Sequence, residues 1–178
     1  SLSHNKYIAK KVFRWVGLPT ADFIQVSNPE DMPPFDIGYP LFLKPAHEGT
    51  SIGINENAKV LDYESLVKQV QWSWSKVKAP ILIEQYIEGR EFTVSVLGKQ
   101  VLPIIEIVSP TGYYSHGQKE DDKSGVYRIC PAEISDEKRL ELERTALEAM
   151  EALELHDWCR MDLRMDADNN AYILEVNP

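Results

Sequence analysis

The 178 residues are 43% apolar and carry a net charge of −9, which is enough apolar content for one compact core or two small lobes without disulfides or structural metal. Nineteen Lys and Arg against twenty-eight Asp and Glu exclude the broad basic face that nucleic-acid binding needs. The two cysteines, Cys130 and Cys159, lack C-x-x-C spacing, no apolar run reaches membrane-span length, and the first residues lack a signal-peptide pattern; the expectation is two small buried thiols in a cytoplasmic chain with no membrane partner.

In chain order, Ser3 is placed to cap a helix whose apolar positions Ile8, Val12, Trp15 and Val16 share one face, with Gly17 and Pro19 stopping it. A short strand over Asp22 to Val26 and a loop through Pro29, Pro33 and Pro34 follow. Leu41 to Pro45 reads as a strand that enters the Gly-rich stretch Glu48 to Gly53, and Asp62 caps a second helix carrying Leu66, Val67, Val70 and Trp74. Three alternating strands come next, Ile81 to Gln85, Glu91 to Leu97 and Gln100 to Ile107, the last two joined at Gly98 and Lys99.

The polar stretch Ser115 to Gly125 reads as a mobile surface loop. Ser135 opens the longest helix, expected to pack Leu140, Ala146, Leu147, Met150 and Leu153. A hairpin closes the chain, Cys159 to Met165 and Tyr172 to Asn177, turning at Asp168 to Asn170. Interleaved helices and antiparallel strands give an α+β class. The divisions expected are an entry helix and strand over residues 1–26, a small subdomain over 27–90 and a larger one over 91–178. A start at a helix cap and a stop just after a strand suggest a piece incomplete at both ends.

The terminal hairpin is the richest in chemistry. Alternation places Arg160 and Asp162 on one face of its first strand and Glu175 and Asn177 on one face of its partner. A turn at Asp168 and Asn169 opposes Asp162 to Glu175; a shift by one residue opposes it to Asn177. Either register gathers two carboxylates and an amide oxygen, a donor set that suits Mg²⁺. Read alone, the same residues also describe an exposed acidic face.

Lys44-Pro-Ala-His-Glu-Gly-Thr-Ser-Ile-Gly53 puts a strand-end lysine before a loop with two glycines and two hydroxyls, able to lay backbone N–H groups over phosphate oxygens. It is not a Walker A sequence, and no G-x-G occurs in the chain. Gly49 to Gly53 also fits G-x-S-x-G, but a nucleophile elbow needs a helix directly after the serine, and Ile52 to Lys59 is not one. In Leu82 to Glu91, an apolar strand ending in a carboxylate-rich turn can offer backbone groups to a purine and a carboxylate to a ribose.

Taken together, KPAHEGTSIG (44–53), LIEQYIEGREFTV (82–94), ICPA (129–132), CRMDLRMD (159–166) and YILEVNP (172–178) resemble an ATP-grasp ligase of the D-alanine–D-alanine ligase type over essentially the whole chain. The resemblance implies two α+β subdomains clasping ATP between antiparallel sheets. It implies that Lys6 and Lys44 touch phosphates, that Glu84 with the backbone of Tyr86 and Ile87 holds adenine, and that Glu91 binds ribose. The 48–53 loop, with Glu48, Gly49, Thr50, Ser51 and Gly53, would close on the γ-phosphate, Lys119 would reach it from the 115–125 loop, and Arg160 would stabilise developing charge. Asp162, Glu175 and Asn177 would hold two Mg²⁺, with Mn²⁺ as a substitute.

The implied reaction joins a carboxylate and an amine through an acylphosphate, with small amino acids as substrates in cell-wall peptidoglycan synthesis, and the resemblance allows a homodimer. Two other readings stand beside it: a ligase for a different amino acid or a hydroxy acid, and a non-catalytic ATP-binding module. The stretch alone is expected to bind Mg-ATP weakly and to make no dipeptide.

Overall fold

Two antiparallel sheets organise the chain, for which a computed structural model describes residues 4–47, 54–109 and 125–178. The smaller has the order β1-β4-β2-β3, from β1 (Phe23–Val26), β2 (Leu41–Pro45), β3 (Lys59–Val60) and β4 (Ile81–Gln85). The larger runs β10-β9-β5-β7-β8, from β5 (Arg90–Leu97), β7 (Ile105–Val108), β8 (Tyr127–Ile129), β9 (Trp158–Met165) and β10 (Ala171–Asn177). A short β6 (Gln100–Val101) also pairs with β5. Helix α2 (Tyr63–Val77) shares an apolar core with the smaller sheet, while α1 (Lys6–Trp15) and α3 (Asp136–Ala152) share one with the larger. The α+β expectation holds, and among the described residues no helix is long and apolar enough to cross a membrane.

Several local expectations give way for identifiable reasons. The cap of α1 is Asn5, whose side chain accepts from the Ile8 N–H at 3.2 Å; Ser3 lies outside the described residues. Its buried face is Lys6, Ala9, Lys10 and Phe13 rather than the all-apolar stripe, and Trp15 is left 91% exposed. Two lysines go inside because carboxylates wait there for them, a signal no hydrophobic pattern carries. The long third strand breaks into β6 and β7 at Leu102–Ile104, where Pro103 has no N–H to give the ladder.

Helix α3 buries Leu142, Thr145, Ala146, Ala149 and Met150, with Leu153 just beyond it, while Leu140 is 56% exposed and Leu147 also faces out. The small Ala146 and Ala149 let the helix sit close to the sheet. In α2, Leu66 and Val70 are buried as expected, joined by Gln69 and Ser73. Asp62 caps it, accepting from the Ser65 N–H at 2.7 Å while Ser65 Oγ lies 3.3 Å from the Asp62 N–H. Cys159 is buried, but Cys130 is exposed at the end of β8, against the expectation of two buried thiols.

The hairpin β9–β10 carries the feature that matters most for the site. Ala171, Tyr172 and Ile173 pair with Met165, Arg164 and Leu163, but Glu175 pairs with Asp162 and Asn177 with Arg160, so a bulge sits at Leu174. A bulge puts two consecutive side chains on one face. Leu174 and Glu175 both turn to the cleft while Ile173 and Val176 stay buried. Of the two registers left open by the sequence, the one opposing Asp162 to Glu175 is found, reached by a bulge and a longer turn rather than a two-residue loop.

Candidate functional site

A cleft of about 510 Å³ lies between the two sheets, within the range of nucleotide-sized ligand sites. The smaller sheet and its linker contribute Phe42, Lys44, Glu84, Gln85, Tyr86 and Ile87, and α1 contributes Lys6. The larger sheet contributes three cross-strand rows, each fixed by register. Arg164, Glu91, Ile107 and Arg128 lie side by side across β9, β5, β7 and β8; Glu175, Asp162, Thr93 and Ile105 form the next row; Arg160 and Ser95 form the third. Because side chains alternate along a strand, the intervening residues Phe92, Val94, Met161 and Leu163 face the core and are fully buried. One set of strands builds the core and the site at once.

Charge is arranged very differently on the two walls. On the smaller sheet Glu84 is 2% exposed, with Lys10 Nζ 2.8 Å from Oε2 and Lys44 Nζ 2.6 Å from Oε1. Burial alone would push this carboxyl up, but the two ammonium groups outweigh it and hold Glu84 below the ordinary glutamate value. Burial pulls Lys44 down, yet Glu84 and Glu175 together carry it above an ordinary lysine. Lys10, 1% exposed, is lowered by burial in spite of Glu84, and also donates to Thr20 Oγ1 at 2.5 Å and to the Ile173 carbonyl at 3.2 Å.

On the larger sheet carboxylates face one another. Asp162 and Glu175 are directly opposed. Burial raises the Asp162 carboxyl; Arg160 opposes that, and Glu175 adds to it. Its own partners are Thr93 Oγ1 at 2.6 Å, Arg160 Nε and Nη2 at 3.1 and 3.0 Å, and Asn177 Nδ2 at 3.3 Å. Glu175 sits 3.3 Å from Lys6 Nζ, and although burial pushes it up, Lys44 and Lys6 hold it low. Lys6 itself is lowered by burial despite Glu175. Glu91 is pushed up to about 6 by burial, with Arg164 pulling the other way and Asp162 reinforcing the rise.

The sequence-predicted residues Lys6, Lys44, Glu84, Tyr86, Ile87, Glu91, Arg160, Asp162 and Glu175 all line this one cleft, and Asn177 joins them through its bond to Asp162. Lys44 Nζ donates to the Leu174 carbonyl at 3.2 Å, next to Glu175, so the lysine and the acidic hairpin are in contact range. Glu48, Gly49, Thr50, Ser51, Gly53 and Lys119 lie outside the described residues. Sequence reasoning missed Lys10, Thr93 and Arg164. Lys10 stands one helical turn after Lys6, and Thr93 and Arg164 fall on the alternation that selects Glu91 and Asp162, so position alone could have nominated all three.

Among the described residues no group of three or more His, Cys, Asp and Glu side chains gathers as metal ligands. The hairpin trio is of another kind, two carboxylates and an amide, and it fits Mg²⁺, which takes one or two protein carboxylates and completes its shell with phosphate and water. The fit rests on the opposed pair itself: a divalent cation would relieve the repulsion that helps raise Asp162.

Residues 12–178 match the family model for the C-terminal part of D-ala D-ala ligases. The chain belongs to this family. It is 36% identical over 181 residues to a D-alanine–D-alanine ligase of Hydrogenovibrio crunogenus and 37% identical over 183 residues to that of Bordetella petrii, in each case over 99% of this chain. The chain spans 56% and 55% of those relatives, about half their length. The crystal structure of D-alanine–D-alanine ligase from Bacillus anthracis complexed with ATP superposes with a TM-score of 0.79 at 28% identity, covering 99% of this chain and 56% of that one. The VanG D-Ala:D-Ser ligase of Enterococcus faecalis, at 22% identity, TM-score 0.79, and coverage of 99% and 52%, shares the fold.

Proposed function

We propose that this chain is the ATP-binding part of an ATP-dependent ligase that joins a carboxylate to an amine, with small D-amino acids as substrates and magnesium as its ion. The observation that carries the reading is the pairing within one cleft of opposed Asp162 and Glu175 carboxylates with Lys6 and Lys44, a layout able to hold a metal-bound polyphosphate. Mg-ATP, when bound, would supply the γ-phosphoryl group to the substrate carboxylate, leaving ADP and an acylphosphate; attack of the amine on its acyl carbon would form the amide and release phosphate and a proton.

Each residue then has a physical task. Asp162, Glu175 and Asn177 hold the cation, and Lys6 and Lys44 neutralise phosphate oxygens. Glu84 keeps Lys44 charged and aimed, since each carboxylate oxygen has a second lone pair to spare for the nucleobase amine. The backbone of Tyr86 and Ile87 reads the purine edge, and Glu91 accepts from the ribose. Arg160, whose guanidinium lies along Asp162, stabilises charge on the transferring group without acting as a nucleophile, because positioning and electrostatics suffice for phosphoryl transfer. Lys119 and the 48–53 stretch keep the γ-phosphate roles that the family resemblance gives them.

Calorimetric titration with ATP, with and without Mg²⁺, tests the binding half of the proposal, and saturable heat only when Mg²⁺ is present is expected. Phosphate release across a panel of D- and L-amino acids and hydroxy acids, by the protein at its relatives' length, tests the chemistry. There, Arg160→Ala is expected to cost about 3–4 kcal/mol in the barrier, and turnover within threefold of wild type would remove Arg160 from the mechanism.

A further inference from the structure

The chain passes from the smaller sheet to the larger through a four-residue linker, residues 86–89, between β4 and β5. One buried side chain of the larger sheet grips both ends of it. Arg164, 3% exposed, donates Nη1 to Tyr86 Oη at 2.9 Å and Nη2 to the Gly89 carbonyl at 2.8 Å, and its guanidinium carbon lies 4.7 Å from the Tyr86 ring centroid. The linker is pressed hard onto β9 at the same point: a Cβ on Gly89, at φ +137°, would fall 2.0 Å from the Met165 carbonyl oxygen. On β3, Lys59 Nζ lies 4.2 Å from the same ring and bonds Glu88. Arg164 and Tyr86 are both buried, and neither belongs to the main apolar cluster of either sheet.

We propose that Arg164 is a positioning residue for the nucleobase: by clamping the linker at Tyr86 and Gly89 it fixes the backbone edge of residues 86 and 87 that the purine must meet. The inference rests on the nucleotide reading of the cleft. A planar fork with donors to two sites holds a segment in a way a single ammonium does not, and a pre-ordered edge binds more tightly than one that must be ordered on contact. The phosphate end of the cleft is built from other side chains, Lys6, Lys44, Asp162, Glu175 and Asn177.

Two ligands separate the ends. Calorimetry on the wild-type chain, Arg164→Met, Arg164→Lys and Tyr86→Phe would use Mg-ATP and, in parallel, Mg-tripolyphosphate, which has no base. Arg164→Met is expected to weaken Mg-ATP by about tenfold or more with tripolyphosphate unchanged, Arg164→Lys to recover part of the loss, and Tyr86→Phe to lose less. Amide exchange should accelerate across residues 86–89 and not across β4. Equal loss of both ligands, or no loss of ATP affinity, would overturn the role of Arg164 alone. Failure of the wild-type chain to bind Mg-ATP would overturn the nucleotide reading, and this inference with it.

Discussion

The two walls of the cleft solve the problem of buried charge in different ways. On the smaller sheet the protein supplies both signs: Glu84 is shared by Lys10 and Lys44, and burial is answered within the chain. On the larger sheet both signs are again present, Glu91, Asp162 and Glu175 with Arg128, Arg160 and Arg164, but Asp162 directly faces Glu175 and both Asp162 and Glu91 are lifted by their buried setting. The compensation there is uneven: Lys44 and Lys6 hold Glu175 low, whereas Arg160 and Arg164 leave Asp162 and Glu91 raised. A network whose charges are matched fixes geometry, whereas a carboxylate left raised by burial and a like-charged neighbour gains from an arriving cation. On the proposed reading the smaller sheet holds and aims Lys44 toward phosphate, and the larger sheet offers the carboxylates for the metal.

The sharpest way to break that contrast is to remove the shared carboxylate. Glu84→Gln would leave the nearly buried Lys10 without its anion and Lys44 with only the hairpin's carboxylates, and cutting one partner from a buried charge network costs about 3–5 kcal/mol. Urea unfolding at neutral pH is expected to show a loss in that range. Because Glu84 is held below its ordinary value, its contribution is full above the unfolded glutamate pKa and fades as pH falls through the folded one, so the wild type and Glu84→Gln curves should converge in acid. A loss below 1 kcal/mol at neutral pH would mean that the smaller wall is not a completed network.

How far the sequence revealed this depends on which signal each part left. Strands whose one face is apolar and whose other is chemical, such as β5 and β9, were legible to within a residue, since period-two alternation writes both faces at once. The opposition of Asp162 and Glu175 was legible only as one of two registers, because the bulge at Leu174 leaves no composition cue and is fixed by packing on both sides. Of the apolar stripe expected for α1, Val12 packs against the larger core, while Trp15 and Val16 are exposed and two lysines take the buried face. Lys6 and Lys10 count as surface residues on any hydropathy scale, and only the acidic partners on β4 and β10 make their burial favourable. Pro103 could have announced the break between β6 and β7. The open face of α3 could not have been foreseen so simply, since Leu140 and Leu147 are apolar yet exposed, and ordinary proteins do expose single leucines.

On the larger wall the expected sign reverses. Glu91 titrates at about 6 in the folded chain against an ordinary 4.5. As pH rises from 4.5 to 6 the unfolded chain releases this proton while the folded chain retains it, so stability falls across that window by about 2 kcal/mol and then levels off. Glu91→Gln removes the penalty. It is expected to be more stable than wild type by up to about 2 kcal/mol above pH 6, with the difference closing below pH 4.5. Thermal melts from pH 4 to 8 read this directly, and a variant less stable than wild type at pH 7 would show that Arg164 compensates Glu91 fully.

The smallest change in stability should accompany the largest change in ligand response. In Asp162→Asn, Oδ1 can still accept from Thr93 and Arg160 Nε and the repulsion from Glu175 disappears, while Arg160 Nη2 and the rotatable Asn177 amide lose their acceptor, so lost and gained terms oppose one another and the melting curve without ligand should shift by no more than about 1 kcal/mol in either direction. What the variant cannot do is present two anionic oxygens to a divalent cation. Its thermal shift with Mg-ATP should therefore collapse toward that of ATP alone, while Glu84→Gln, far less stable, keeps a Mg²⁺-dependent increment because its hairpin is untouched. If Asp162→Asn retained the full Mg²⁺ increment, the raised carboxylates of the larger wall would have another purpose, and the division of labour between the two sheets would fail at the point where it is most specific.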